Sequence, residues 1–163
     1  MHKSHFGVTK FSFGRDDDIV GVVLHQSEAY SSTYALVRHL DLVGQSMHYT
    51  VKREGTIDLI VDEPNVAFHL KTQAVNVKTL GINHENSASG FLTKQTLNAG
   101  AKLNADICKR YELGEPALGK NVFLCRDFSG GEPLLSCFGS LNYGHDQHIK
   151  YMSLAKEFYN ERY

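Results

Sequence analysis

No stretch of this 163-residue chain stays apolar for the roughly 20 residues that a membrane-spanning helix needs. The opening Met1-His2-Lys3-Ser4-His5 leads into no continuous apolar segment of the signal-peptide kind. An excess of one charge is also lacking. With 17 basic and 18 acidic residues the formal net charge is -1, which leaves no electrostatic footprint for nucleic acid or an anionic membrane. Cysteine is scarce: Cys108, Cys125 and Cys137 are an odd set that cannot all pair within one molecule, and a protein kept inside the cell holds such thiols reduced. There is no internal repeat, low-complexity tract or linker. These absences lead us to expect a soluble protein made in the cytoplasm without a secretion signal, with no nucleic-acid partner and no membrane insertion. A hydrophobic content of 42% suffices for a single core, so residues 1–163 read as one domain.

What is present reads as strands alternating with helices. Ile19 to Leu24 is an apolar, β-branched run that predicts a strand buried on both faces, with His25 closing its C-terminal end. Ser31, Ser32 and Thr33 offer N-caps for a helix to about Val43, with Gly44 as its stop. His48 to Val51 and Thr56 to Val61 pair as a hairpin in which Gly55 supplies the left-handed position. Leu80 to Asn83 is a short strand ending in polar residues. Thr93 caps a helix to about Tyr111 whose buried face includes Cys108, a packing residue. Asn121 to Phe128 and Leu134 to Cys137 are further strand candidates, and Ile149 to Tyr159 a closing helix. The expected class is α/β, with a mixed central β-sheet flanked by helices.

Five short motifs occur in chain order: Val22-Val23-Leu24-His25; Ser46-Met47-His48-Tyr49 running into Lys52-Arg53-Glu54-Gly55-Thr56-Ile57; Ala67-Phe68-His69; Leu80-Gly81-Ile82-Asn83 followed by Thr93-Lys94-Gln95; and Leu124-Cys125-Arg126-Asp127. Together they resemble the peptidoglycan amidase family of phage amidase lysozymes, bacterial muropeptide amidases and animal peptidoglycan recognition proteins. The resemblance covers residues 19–137. It implies a peptidoglycan-amidase-like domain, a Zn2+ cofactor, and peptidoglycan or a muropeptide as partner. It makes His25 the first zinc ligand, places the second at Cys125, and sets Asn83 where many members carry a catalytic glutamate. Glu85, two residues on along the same face of a strand, is then the substitute acid.

Zinc with three protein ligands and an open position lowers the pKa of a bound water and polarises a carbonyl, which amide hydrolysis at neutral pH requires. Two ligand sets complete His25: Cys125 with Cys137, or His145 with one of the cysteines. Glu85 is the expected general base. His69 is expected to contact the peptide or stabilise the oxyanion. His48, rather than its neighbour Tyr49, is expected to face the substrate, and His84 falls on the opposite strand face as a surface histidine.

The resulting expectation is a zinc-dependent amidase cleaving the N-acetylmuramoyl-L-alanine bond. Its setting would be that of a phage endolysin released to the wall through a holin, or of a cytosolic muropeptide recycler. The alternative is a catalytically impaired peptidoglycan- or muropeptide-binding protein on the same fold, towards which Asn83 and Cys125 point.

Overall fold

The structure, a computed structural model, describes residues 5–128 and 147–161. Its organising element is the strand β2 (Gly21–Ser27), preceded by the short β1 (Phe11–Ser12) and followed by helix α1 (Thr33–Leu42). Next come β3 (Tyr49–Val51), β4 (Ile57–Leu59), β5 (Val66–Ala67), the one-turn helix α2 (Gln73–Asn76) and β6 (Thr79–Glu85). Helix α3 (Lys94–Arg110), β7 (Val122–Leu124) and helix α4 (Gln147–Asn160) complete the described elements. The order across the main sheet is β4-β3-β6-β2-β7, with β4 antiparallel to β3 and the other pairings parallel. This is the mixed sheet flanked by helices that the alternation of elements predicts.

Local chemistry sets the helix ends. Ser32 Oγ accepts from Ala35 N at the start of α1. At its end Gly44, with φ +75°, lets its own N–H reach Asp41 O and the N–H of Gln45 reach Leu40 O, the paired bonds of a Schellman stop. Thr93 Oγ1 accepts from Thr96 N to open α3, and the two threonine hydroxyls donate to Arg53 O and Lys52 O, tying the β3–β4 turn to that helix.

The helices cover different faces. On one face Val22, Leu24, Leu80, Ile82, Val122 and Leu124 pack against Leu97, Ala101, Ile107 and Cys108 of α3 and Tyr151, Met152 and Ala155 of α4. The Cys108 thiol is buried there, as expected of a packing residue. On the other face Leu36, Val37 and Leu40 of α1 meet Met47, Ile60, Val61 and Ala67.

Three boundaries differ from the sequence reading. Both central strands run past their apolar segments, β2 to Ser27 and β6 to Glu85, because their parallel ladder continues in register from Gly21↔Thr79 to Ser27↔Glu85. His25 therefore lies within the strand rather than closing it. In contrast β7 stops at Leu124, where Asp127 Oδ2 accepts the strand's last N–H (3.0 Å) and the chain turns into a 3-10 helix, Cys125–Phe128. The strand expected over residues 134–137 lies outside the described residues.

Two half-buried charges fasten the loops beneath the sheet. Arg15 donates to the carbonyls of Glu63, Asn65, Asn76 and Val77, joining three segments. Glu63 accepts from Tyr49 Oη, both terminal nitrogens of Arg110 and Tyr111 Oη at 2.6 to 2.8 Å. Burial works against its charge, yet the bonds from Arg110, Tyr111 and Tyr49 hold its carboxyl down at about 2. Glu63→Ala is expected to lower unfolding free energy by about 2 kcal/mol in urea titrations, because it leaves two hydroxyls and a guanidinium without their acceptor. The wild-type contribution is complete above the ordinary carboxylate value of 4.5 and is lost as pH falls towards 2, a limb that Glu63→Ala should lack.

Candidate active site

The parallel register lines up one row of side chains across the sheet. Asp58 of β4 is opposite Thr50 of β3, Thr50 opposite Asn83 of β6, and Asn83 opposite His25 of β2. Strand alternation puts Ser27 and Glu85, themselves opposite one another, on the same face one step further along. The row is held by its own polar groups: Asn83 Nδ2 donates to Ser27 Oγ (2.9 Å) and Thr50 Oγ1 (3.1 Å), and Asp58 accepts from Thr33 Oγ1 of α1 (2.5 Å).

His25 is oriented by a relay beneath it. Thr79 Oγ1 donates to Val75 O (2.8 Å), so the same oxygen accepts from His69 Nε2–H (3.1 Å). His69 Nδ1 is then the bare nitrogen, and it accepts from His25 Nε2–H at 3.0 Å. The network thus assigns the tautomers and leaves the lone pair of His25 Nδ1 free. His69 can come this close because residue 81 is glycine: a Cβ there would lie 2.6 Å from His69 Cγ.

From the opposite face, His84 Nδ1–H donates to the carbonyl of His25 (2.9 Å), and His84 Nε2 accepts from Tyr151 Oη of α4 (3.2 Å). His84 is thus on the far face, as the alternation predicts, but it is buried against α3 and α4 rather than surface-exposed. Gly100 of α3 makes the room, since a Cβ there would lie 2.5 Å from His84 Nε2.

His25 Nδ1, Asn83 Oδ1 and Glu85 Oε1 are buried atoms with no hydrogen-bond partner among the described residues. All three belong to adjacent strands and point to one face. Buried acceptors left without donors cost about 1–3 kcal/mol each, and such a cluster is characteristic of a ligand site. Burial, then the fields of His84 and His48, lowers His25 to about 3. Burial also lowers His48 to about 3 and His84 to about 4, and keeps His69 well below its usual value. The imidazoles are therefore neutral, the form in which a ring nitrogen can ligate a metal. Burial raises the Glu85 carboxyl above its ordinary value, which favours a group that exchanges a proton.

Of the residues singled out from sequence, the structure brings together His25, Asn83 and Glu85. His69 stands behind His25 with both nitrogens engaged, a positioning role rather than the substrate contact expected of it. His48 is deeper still: its Nδ1 accepts from Gly81 N (3.0 Å) and its Nε2–H donates to Asn65 O (3.1 Å), which leaves no ring atom for a substrate. Cys125 is disulfide-bonded and offers no thiolate. Cys137 and His145 lie outside the described residues. Among the described residues no three His, Cys, Asp or Glu side chains form a metal-binding group. Thr79, Ser27 and Thr50 escaped the sequence reading, because a hydroxyl in a strand carries no signal until the partner strand is placed beside it.

The model of the N-acetylmuramoyl-L-alanine amidase family matches residues 15–148 of the chain. The chain belongs to this family. Solved structures of similar fold include the N-acetylmuramoyl-L-alanine amidase LysC from Clostridium intestinale URNW, with TM-score 0.67, 17% identity and coverage of 92% of this chain and 93% of that one. The Staphylococcus aureus hydrolase AmiA, solved with its ligand, has TM-score 0.69 at 16% identity over 94% of this chain and 79% of its own. AmiD from E. coli, solved with anhydro-N-acetylmuramic acid-L-Ala-D-gamma-Glu-L-Lys, has TM-score 0.55 at 21% identity over 68% and 49%. At such identities the likeness concerns the fold. No curated protein matches the sequence.

In this amidase-family chain the buried neutral imidazoles make stability depend on pH. His48 titrates near 3 when folded and near 6.5 when unfolded, so its folded state is fully favoured above 6.5 and loses ground as pH falls below that value. At pH 5 the loss from this one ring is expected to be about 2 kcal/mol. Urea midpoints measured from pH 7.5 to 4.5 should fall accordingly, and His48→Gln should flatten the slope by one proton.

Proposed function

We propose that the protein is a zinc-dependent N-acetylmuramoyl-L-alanine amidase that hydrolyses the amide between the muramic lactyl group and the stem peptide of peptidoglycan or a muropeptide. The observation that carries this reading is the free lone pair of His25 Nδ1. A relay of Val75, Thr79 and His69 fixes the opposite nitrogen as a donor, which is how proteins commonly aim a histidine at a metal. The donor chemistry fits zinc, which takes neutral imidazole nitrogen. His25 is the described ligand, and His145, from outside the described residues, is the nitrogen donor proposed to join it. The disulfide at Cys125 removes that sulfur from the set. When bound, zinc would supply an activated water and polarise the carbonyl.

The chain's own residues supply the rest. His69 keeps His25 from turning. Glu85, with its carboxyl pushed up by burial and Oε1 unpartnered, is the group proposed to take a proton from the water and pass it to the leaving nitrogen. Asn83, at the position of the family's glutamate, cannot do this, since an amide does not ionise in this range. That same asparagine favours the binding-only alternative, and the two readings separate on activity. A phage-lysis or muropeptide-recycling setting remains part of the proposal.

His25→Ala is expected to abolish release of L-alanine amino groups from purified cell wall and to remove about one zinc per chain while the protein stays folded. Equal release by the variant would rule out the assignment, whereas wall binding by a metal-free, inactive wild type would favour the binding module. Glu85→Gln is expected to slow turnover by about 100-fold or more, with zinc content unchanged.

A further inference from the structure

The amide of Asn83 has a fixed orientation. Ser27 Oγ gives its single hydrogen to Glu28 O (2.9 Å), so towards Asn83 it can only accept. Thr50 Oγ1 takes the second amide hydrogen at 3.1 Å. The flipped amide would place Oδ1 against Ser27 Oγ, whose hydrogen is given to Glu28 O, so the assigned orientation is the one that keeps every bond of the network. Oδ1 is thereby left as an acceptor, in a residue 1% exposed, with no donor among the described residues. A carboxylate could not be held in the same way, because it has no hydrogen for Ser27. At the family's acid position this chain has an oriented acceptor, rather than a weakened acid.

The geometry points to Asn83 as a substrate-positioning residue whose Oδ1 accepts the N–H of the amide that is cut, with Ser27 as the residue that aims it. This rests on the amidase reading above. His25, the proposed cation ligand, is Asn83's direct neighbour across the β2–β6 ladder. Adjacent strands lie about 4.8 Å apart, the scale of a peptide unit from its carbonyl oxygen to the acceptor beyond its N–H. A carbonyl drawn to the His25 side presents its nitrogen side to Asn83. In hydrolysis the water oxygen bonds to the carbonyl carbon, the C–N bond breaks, and the nitrogen departs as an amine carrying one hydrogen from that water. The original N–H is untouched, so its bond to Oδ1 can persist from substrate to product.

The ligand class that follows is a secondary amide. Esters and tertiary, N,N-disubstituted amides carry no hydrogen at that atom, and each would leave Oδ1 without a donor.

The test uses two synthetic muropeptides, one with L-alanine as first stem residue and one with N-methyl-L-alanine, against wild type, Asn83→Leu and Ser27→Ala. Cleavage rates and equilibrium binding are measured for every pair, with folding checked by circular dichroism. The wild-type preference for the N–H compound is expected to fall about tenfold in Asn83→Leu, the usual effect of one buried hydrogen bond. It should fall less in Ser27→Ala, where the amide is freed to turn. The same preference in folded Asn83→Leu as in wild type overturns the proposal; if that variant does not fold, an unchanged preference in Ser27→Ala does so. Failure of the wild type to cleave the parent compound would count against the amidase reading alone, because the binding pair still reports the contact to Asn83.

Discussion

The parallel pairing of β2 with β6 underlies everything at the site. Seven register pairs run without interruption from the apolar part of both strands into their polar ends. That continuity brings His25 beside Asn83 and Ser27 beside Glu85. It also gives His25 two anchors from opposite sides: its ring is bonded to His69 on one face and its carbonyl to His84 on the other. A slip of one residue in either strand would turn its own polar residue, His25 or Asn83, into the α3–α4 core and bring Leu24 or Ile82 to the site face. Register and chemistry are thus specified by the same ladder.

Much of the fold was legible in the sequence because its signals are local. Ser32, Gly44, Gly55 and Thr93 each mark a boundary through their own backbone or side-chain hydrogen bonds, and each is found where it was expected. Asn83 and Glu85 could be placed on one face of their strand by alternation alone, whereas His25 joins them only through the β2–β6 register. The roles of His48 and His69 could not be read in this way. Whether an imidazole faces a ligand or a carbonyl depends on segments distant in sequence, here Asn65, Gly81 and Thr79. His84 looked like a surface residue because nothing around it in sequence announces Gly100, sixteen positions on, or Tyr151 in the last helix. Apolar content alone puts the ends of β2 and β6 too early, because polar side chains continue a ladder when each finds a partner.

The departures from the family pattern are coupled. Replacing an acid by Asn83 would leave an isolated polar group, were Ser27 and Thr50 not there to take both amide hydrogens. With the amide fixed, Glu85 is the carboxyl next along the same strand face, its charged form disfavoured by burial. On the proposed mechanism, binding and proton transfer, which one glutamate could combine, would in this chain be divided between two residues a single pleat apart.

The contact between His84 and Tyr151 makes the two sides of the sheet inseparable. The hydroxyl of a helix near the end of the chain steadies, through one imidazole, the main chain of the residue proposed to bind metal, in a gap kept open by Gly100. The domain is consequently not modular at this point. A chimera that took these strands from a protein without a histidine at position 84, but kept this chain's helices, would inherit a cleft in α3 with no ring to fill it. Placing this chain's strands against a helix with any side chain at position 100 would drive a Cβ into His84. Gly100, His84 and Tyr151 would have to travel together in any recombination, although they belong to three separate elements.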